Sequence, residues 1–153
     1  MSAILDIYAA LAATTVTADG VTPAVYSLAD LPASVSTAQL PCRLLLPVGD
    51  SANEGRDIGF IAIGTTATVN WQVKDLLLWQ STGQGIGLSG FAAQLVEYAG
   101  AYVDMIRSFK APSTYSNLES VNVLPGLFEY PSLSGNFYAG VMCTLTIHEV
   151  LSG

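Results

Sequence analysis

The stretch TVNWQVKDLLLW, residues 68–79, narrows the choice of fold more than any other. Val69, Trp71 and Val73 alternate with Asn70, Gln72 and Lys74. A period of two gives a strand one buried and one wetter face. A strand of a parallel sheet, covered by helices on both sides, would be apolar throughout. The alternation therefore predicts an antiparallel sheet. The preceding DIGFIAIG, 57–64, reads as a second strand joined to it by the short TTA connection, making a hairpin.

Two segments carry helical spacing instead. In residues 3–16, Ile4, Ile7, Tyr8, Leu11 and Thr15 recur as on one face of an amphipathic helix. In FAAQLVEYAGAYVDMIRSFK, 91–110, Leu95, Tyr98, Tyr102, Met105, Ile106 and Phe109 do the same. Ser89 is the expected N-cap of the second helix. Arg107 and Lys110 suit its C-terminal dipole, and Pro112 stops it. Between the first helix and residue 57, the chain reads as a turn through Asp19-Gly20 and Pro23 and a short strand AVYSL. A loop with Pro32 and Pro41 follows, then a strand CRLLL ended by Pro47, then a polar exposed loop over about 48–57.

After the second helix, a strand is expected at 119–124, broken at Pro125-Gly126 and continuing to Tyr130. PSLSGN turns the chain. The closing strand, 137–150, alternates Phe137, Ala139, Val141, Cys143, Leu145 and Ile147 with more polar neighbours. The order is helix, hairpin, helix, hairpin. It predicts a single α+β domain over 1–153, with a mainly antiparallel sheet of two hairpins and two helices packed on one face.

The segment GQGIGLSG, 83–90, contains G-x-G-x-x-G at Gly85, Gly87 and Gly90. A dinucleotide-binding loop needs a strand apolar on both faces before it and an acid about 20 residues after it. The strand before it alternates, Lys110 stands about where the acid would be, and only a hairpin follows the helix. The glycines are therefore expected to form a strand-to-helix connection, and no cofactor is assigned. GLSGF fails the nucleophile-elbow pattern G-x-S-x-G at Phe91. The one histidine, His148, falls opposite Leu145 and Ile147, beside Thr144 and Thr146, and reads as a surface or interface residue. Asp50, Asn53, Glu54 and Asp57 are clustered but lack the spacing of a calcium loop. No catalytic residue and no metal site are assigned.

Hydrophobic residues make up 51% of the chain and charged residues 11%, with a net charge of −7. Roughly 25% charged residues is usual. No run approaches the ~20 apolar residues of a spanning helix. The first residues lack the basic region of a secretory signal, so neither membrane nor export is expected. Apolar content this high is expected to be hidden partly in a homo-oligomer. Arg43, Arg56, Lys74, Arg107 and Lys110 form no run, which argues against gripping nucleic acid. Cys42 and Cys143 read as small buried hydrophobes in a reducing cytosol. Trp71, Trp79, Tyr98, Tyr102, Phe128, Tyr130, Phe137 and Tyr138 exceed the needs of a small core if one sheet face is open. The core is the expected place for Trp71 and Tyr102; open-face aromatics would favour protein contacts.

The element order, with the closing SGNFYAGVMCTLTIHEVL, resembles the tail terminator and minor tail (neck) proteins of tailed bacteriophages. The family's closing strand runs similarly from a tyrosine through alternating apolar residues to a final acid. The resemblance implies a structural, non-enzymatic virion protein made in the host cytoplasm. Such a protein forms a ring, commonly a hexamer, at the head-proximal end of the tail. It ends tail-tube polymerisation and joins the tail to head–tail connector proteins. Its partners would be itself, the tail-tube protein and the connector, and DNA would pass through its channel without specific binding. The expected interface residues are Asp50, Asn53, Glu54 and Arg56 in the polar loop, Gly85 and Gly87 in the glycine stretch, and Trp79 and Tyr138. A head–tail adaptor, a tail-tube subunit or a small-ligand-binding α+β module are the alternatives.

Overall fold

The structure is a computed structural model that describes residues 3–47, 59–63, 66–82, 90–112, 115–131 and 133–152. Its elements are α1 (Ile4–Ala12), β1 (Ala24–Tyr26), β2 (Cys42–Leu46), β3 (Gly59–Ile63), β4 (Thr66–Ser81), α2 (Ala92–Ser108), β5 (Ser116–Glu129) and β6 (Phe137–Ser152). The fold is α+β. One six-stranded sheet has the order β1-β2-β4-β6-β5, and β3 also pairs with β4. The long central pair sets the frame. β4 and β6 run antiparallel, with Trp71 opposite Ile147, Val73 opposite Leu145 and Leu77 opposite Val141.

That register puts the odd-numbered side chains of β4 and β6 on one face, where both helices settle. α1 buries Ile7, Tyr8 and Leu11, and α2 buries Leu95, Tyr98, Tyr102 and Ile106. They pack with Val73, Leu77, Val141, Cys143, Leu145 and Ile147 in one core. Two polar contacts fasten α1. The Tyr8 hydroxyl donates to the Leu46 carbonyl at 2.6 Å. The Ala3 amide, at the N-cap position, donates to Glu149 Oε1 at 2.6 Å, while Trp71 Nε1 donates to Glu149 Oε2 at 2.7 Å. The buried carboxylate thus satisfies an orphan amide at a helix start and an indole of the central strand.

An ion pair crosses the same core. Arg43, on β2, and Asp75, on β4, are 0% and 1% exposed, with Arg43 Nη2 2.5 Å from Asp75 Oδ2. Arg43 Nη1 donates to the Thr14 carbonyl at 3.0 Å, and the Tyr102 hydroxyl donates to Asp75 Oδ2 at 3.0 Å. The guanidinium also lies 5.8 Å from the Tyr102 ring centroid. Burial opposes the charge on Arg43, yet the Asp75 carboxylate outweighs it and holds the guanidinium above its ordinary pKa. A buried pair with its remaining donors satisfied is the form in which interior charge is tolerated.

The second face is covered over half its length. Cys42, Leu44, Leu46, Leu76, Leu78 and Tyr138 form a smaller core with Val35, against which Tyr26, Leu31 and Leu40 pack. This cover contains two short 3-10 turns, Leu28–Asp30 and Thr37–Gln39. A capping box between Ser36 and Gln39 fixes the second turn, the Ser36 amide donating to Gln39 Oε1 at 2.8 Å. The Tyr138 hydroxyl donates to the Val35 carbonyl at 3.0 Å, and that of Tyr130 donates to the Pro32 carbonyl.

Several expectations change. The sheet is more than two hairpins: β2 joins β4 antiparallel and β1 joins β2 in parallel. β4 is longer than 68–79 and shifts register between Leu78 and Gln80, leaving Trp79 as the extra residue. β5 does not break at Pro125-Gly126. It runs unbroken to Glu129, because an edge strand can hold a proline that a central strand would reject; its irregularity lies between Leu118 and Ser120 instead. The N-cap position of α2 is Phe91 rather than Ser89, which lies outside the described residues. The Asp19-Gly20 turn is as expected. Both residues have positive φ, 51° and 72°, and Ala18 and Val21 exchange backbone hydrogen bonds of 3.0 and 2.9 Å across it.

Candidate functional site

The most strongly perturbed ionisable groups lie in the helix-covered core. Burial pushes the Tyr102 hydroxyl well above its ordinary range, and the nearby Asp75 carboxylate adds to it; the Tyr98 hydroxyl and Cys143 thiol are raised for the same two reasons. Tyr98, Tyr102 and Cys143 are 1%, 0% and 1% exposed. Perturbed groups in a cleft would suggest chemistry. Sealed beneath two helices, these are a strut of the fold.

The uncovered half of the second sheet face is different. The even-numbered side chains of β4 and β6 change in character along the strands. Leu76 and Leu78 are buried under the 26–40 cover. Beyond it, Lys74 pairs with Thr144, Gln72 with Thr146 and Asn70 with His148. β5 supplies Asn122 opposite Thr144, Ser120 opposite Thr146 and Leu124 opposite Met142. Gln72, Lys74, Ser120, Asn122, Thr144 and Thr146 line an open groove of about 400 Å3, walled at its apolar end by Leu124, Phe128 and Met142. Among the described lining residues, Lys74 alone is charged. At the polar end, His148 Nδ1 lies 2.8 Å from Asn70 Oδ1 and 3.8 Å from Glu119 Oε1. Such a floor of hydroxyls and amides can hydrogen-bond an extended segment while the wall holds an apolar side chain.

Beyond the end of β5 stands a turn that the sequence marked only as a turn. Leu133 is 96% exposed there and has φ = 62°. A bulky side chain in the left-handed region is uncommon and strained. The turn is nevertheless closely tied. Glu129 accepts the Leu133 amide at 2.7 Å and the Gly135 amide at 2.8 Å. The Tyr130 amide reaches the Asn136 carbonyl at 3.1 Å, and the Ser134 amide reaches that of Pro131 at 3.2 Å. Leu127 and Phe137, at its base, are 46% and 47% exposed. The usable signal in the sequence was a lone leucine among Ser, Gly and Asn, which has no strand or helix to bury it.

The expected interface residues fare differently. Asp50, Asn53, Glu54, Arg56, Gly85 and Gly87 lie outside the described residues, as does Asp57. Trp79 is half-buried against the helix-side core. Tyr138 is 5% exposed, donates its hydroxyl to the Val35 carbonyl and packs in the second core. His148 is half-buried on the second face. Cys42 and Cys143 are free and buried, in the cores on opposite faces of the sheet. Among the described residues there is no group of three metal-ligating side chains, and no helix is long and apolar enough to cross a membrane. No family model matches the chain, and no curated protein or solved structure matches it.

Proposed function

We propose that this chain is a structural subunit that assembles with copies of itself into a ring at the head-proximal end of a phage tail. There it ends tube growth and joins the tail to the connector. The observation that carries the assembly reading is the exposure of large apolar side chains in a chain with 11% charged residues. Leu133, Leu5, Val96 and Tyr115 are 96%, 69%, 64% and 63% exposed. Val96 and Val103 sit seven residues apart on α2, with exposed Gly100 between them, so they share its outer side. An apolar stripe on the outer side of a helix favours protein contacts. The placement in a tail rests on the sequence resemblance, and we read the β3–β4 and β5–β6 pairs as the two hairpins of that architecture. The net charge of −7 suits a channel that passes DNA without holding it.

Light scattering on the purified chain tests this, with negative-stain imaging of the same sample. The expected result is a mass several times the 16.0 kDa of one copy and annular particles. A fixed 16.0 kDa species at every concentration would refute it. The open polar groove favours a second reading, a small-ligand-binding module, which predicts that fixed monomer together with saturable binding in the groove.

A further inference from the structure

We infer that the outer edge of β5 pairs with the same edge of a second copy, antiparallel and about a two-fold axis at Asn122. A two-fold contact closes on two copies, so the inference goes beyond the ring reading and does not rest on it. β5 ends the sheet, and among the described strands it pairs with β6 alone. Residues along an antiparallel pair alternate between those that bond the neighbour and those whose amide and carbonyl point away from it. The Tyr130 amide bonds the Asn136 carbonyl, while the Phe137 carbonyl turns the other way and receives the Thr82 amide just past β4. Counting back by twos from Tyr130, Leu124, Asn122 and Ser120 bond β6, and Pro125, Val123 and Val121 point outward. The proline thus falls where its missing N–H costs the β5–β6 ladder nothing, and it marks the outward set independently of the count.

An open edge is a template for another chain, and proteins blunt it with prolines, irregularities and charges. On β5 two such devices bracket an unguarded window. Glu119 is the extra residue of the irregularity between Leu118 and Ser120, and Pro125 lacks a donor. Ser120–Leu124, between them, holds no charge and no proline. The pattern of this window is its own complement. An axis at Ser120 or Val121 would set an outward valine opposite Glu119 of the second copy. An axis at Val123 or Leu124 would set one opposite Pro125. An axis at Asn122 pairs Val121 with Val123 of the second copy, and Val123 with its Val121, through backbone hydrogen bonds in both directions. It also sets Pro125 opposite Glu119, so the position without a donor meets the position already out of register. Val121 and Val123 are half-buried against the helix-side core, and the paired valines continue that apolar layer across the axis. On the other face, Leu124, 55% exposed, meets Ser120 of the second copy.

Cross-linking of the full chain tests the register. Asn122 is exposed and meets its own counterpart at a non-bonded pair, where Cα atoms stand about 4.5 Å apart, within disulfide reach. Two copies of residue 120 would stand about 13 Å apart, beyond it. Under mild oxidation Asn122→Cys is expected to form a disulfide-linked pair about tenfold faster or more than Ser120→Cys, which is equally exposed. Ser120→Cys and Leu124→Cys chains, mixed, should link to each other. Cys42 and Cys143 are buried in every variant. Val123→Pro removes an outward donor and leaves the bonds to β6 in place. With circular dichroism to verify folding, it is expected to raise the concentration needed for association in light scattering by about tenfold or more. Linking at 122 no faster than at 120 would overturn the edge contact. Annular particles without the link at 122 would overturn it and leave the ring standing. A two-copy species with that link, and nothing larger, would support it and overturn the ring. A fixed monomer would overturn both.

Discussion

At the scale of single residues, the buried pair of Arg43 and Asp75 has the largest expected consequences. Asp75 holds the guanidinium and receives the Tyr102 hydroxyl. Asp75→Ala leaves an uncompensated buried charge and should cost about 3–5 kcal/mol in urea denaturation. Replacing both partners with apolar residues of similar volume should cost much less, since the interior then holds no charge to compensate. A single variant no worse than the double one would show that the pair contributes no coupling. A faint sign of the pair was legible in the sequence. Arg43 interrupts the apolar run CRLLL, and a charge inside a strand buried on both faces must find a partner. The identity of that partner was not legible, because residues 43 and 75 meet only through the β2–β4 register.

At the scale of elements, β4 and β6 were the most legible parts of the chain. Their period of two survives where helices cover one face and the other is open, as at Val69–Lys74, and is lost where both faces are covered, as at Asp75–Leu78. The parallel β1–β2 pair was not legible, since three residues at 24–26 carry no usable period and their partner lies beyond a proline-containing loop. That same loop proved to be the cover of the second face, held by its capping box and by tyrosine bonds from β6 and the turn before it. The two long strands approach closely at Gly140. A Cβ on Gly140 would lie 2.1 Å from the Leu77 carbonyl oxygen, beside the Trp79 irregularity. Gly140→Ala must move backbone rather than a flexible side-chain end. It should cost about 1–3 kcal/mol or more, read as a lowered melting temperature. Gly100→Ala, on the outer side of α2 with open space around it, serves as the tolerated control.

At the scale of the whole molecule, both cores hold groups that respond to alkaline titration. Burial raises the Cys42 thiol from 9.0 to about 11 in the second-face core, and raises Cys143, Tyr98 and Tyr102 in the helix-side core. All four keep their protons longer folded than unfolded. Stability from these groups is therefore whole below their unfolded pKa values and falls as pH rises above about 9, at about 1.4 kcal/mol per pH unit for each group in its window. Urea midpoints at pH 8, 10 and 11 should decrease in that order, as one cooperative transition; a flat profile would contradict the burial of these groups. The strand order has a further consequence, in the time during which the chain is made. β6 lies between β4 and β5, yet it follows both in sequence. A nascent chain emerging amino-end first holds β4 and β5 with no strand between them, and Glu149 is not yet there to receive the Ala3 amide. Neither the sheet nor the seat of α1 can be completed until residues 137–152 have left the ribosome, so any joining of copies must wait for synthesis to reach that point.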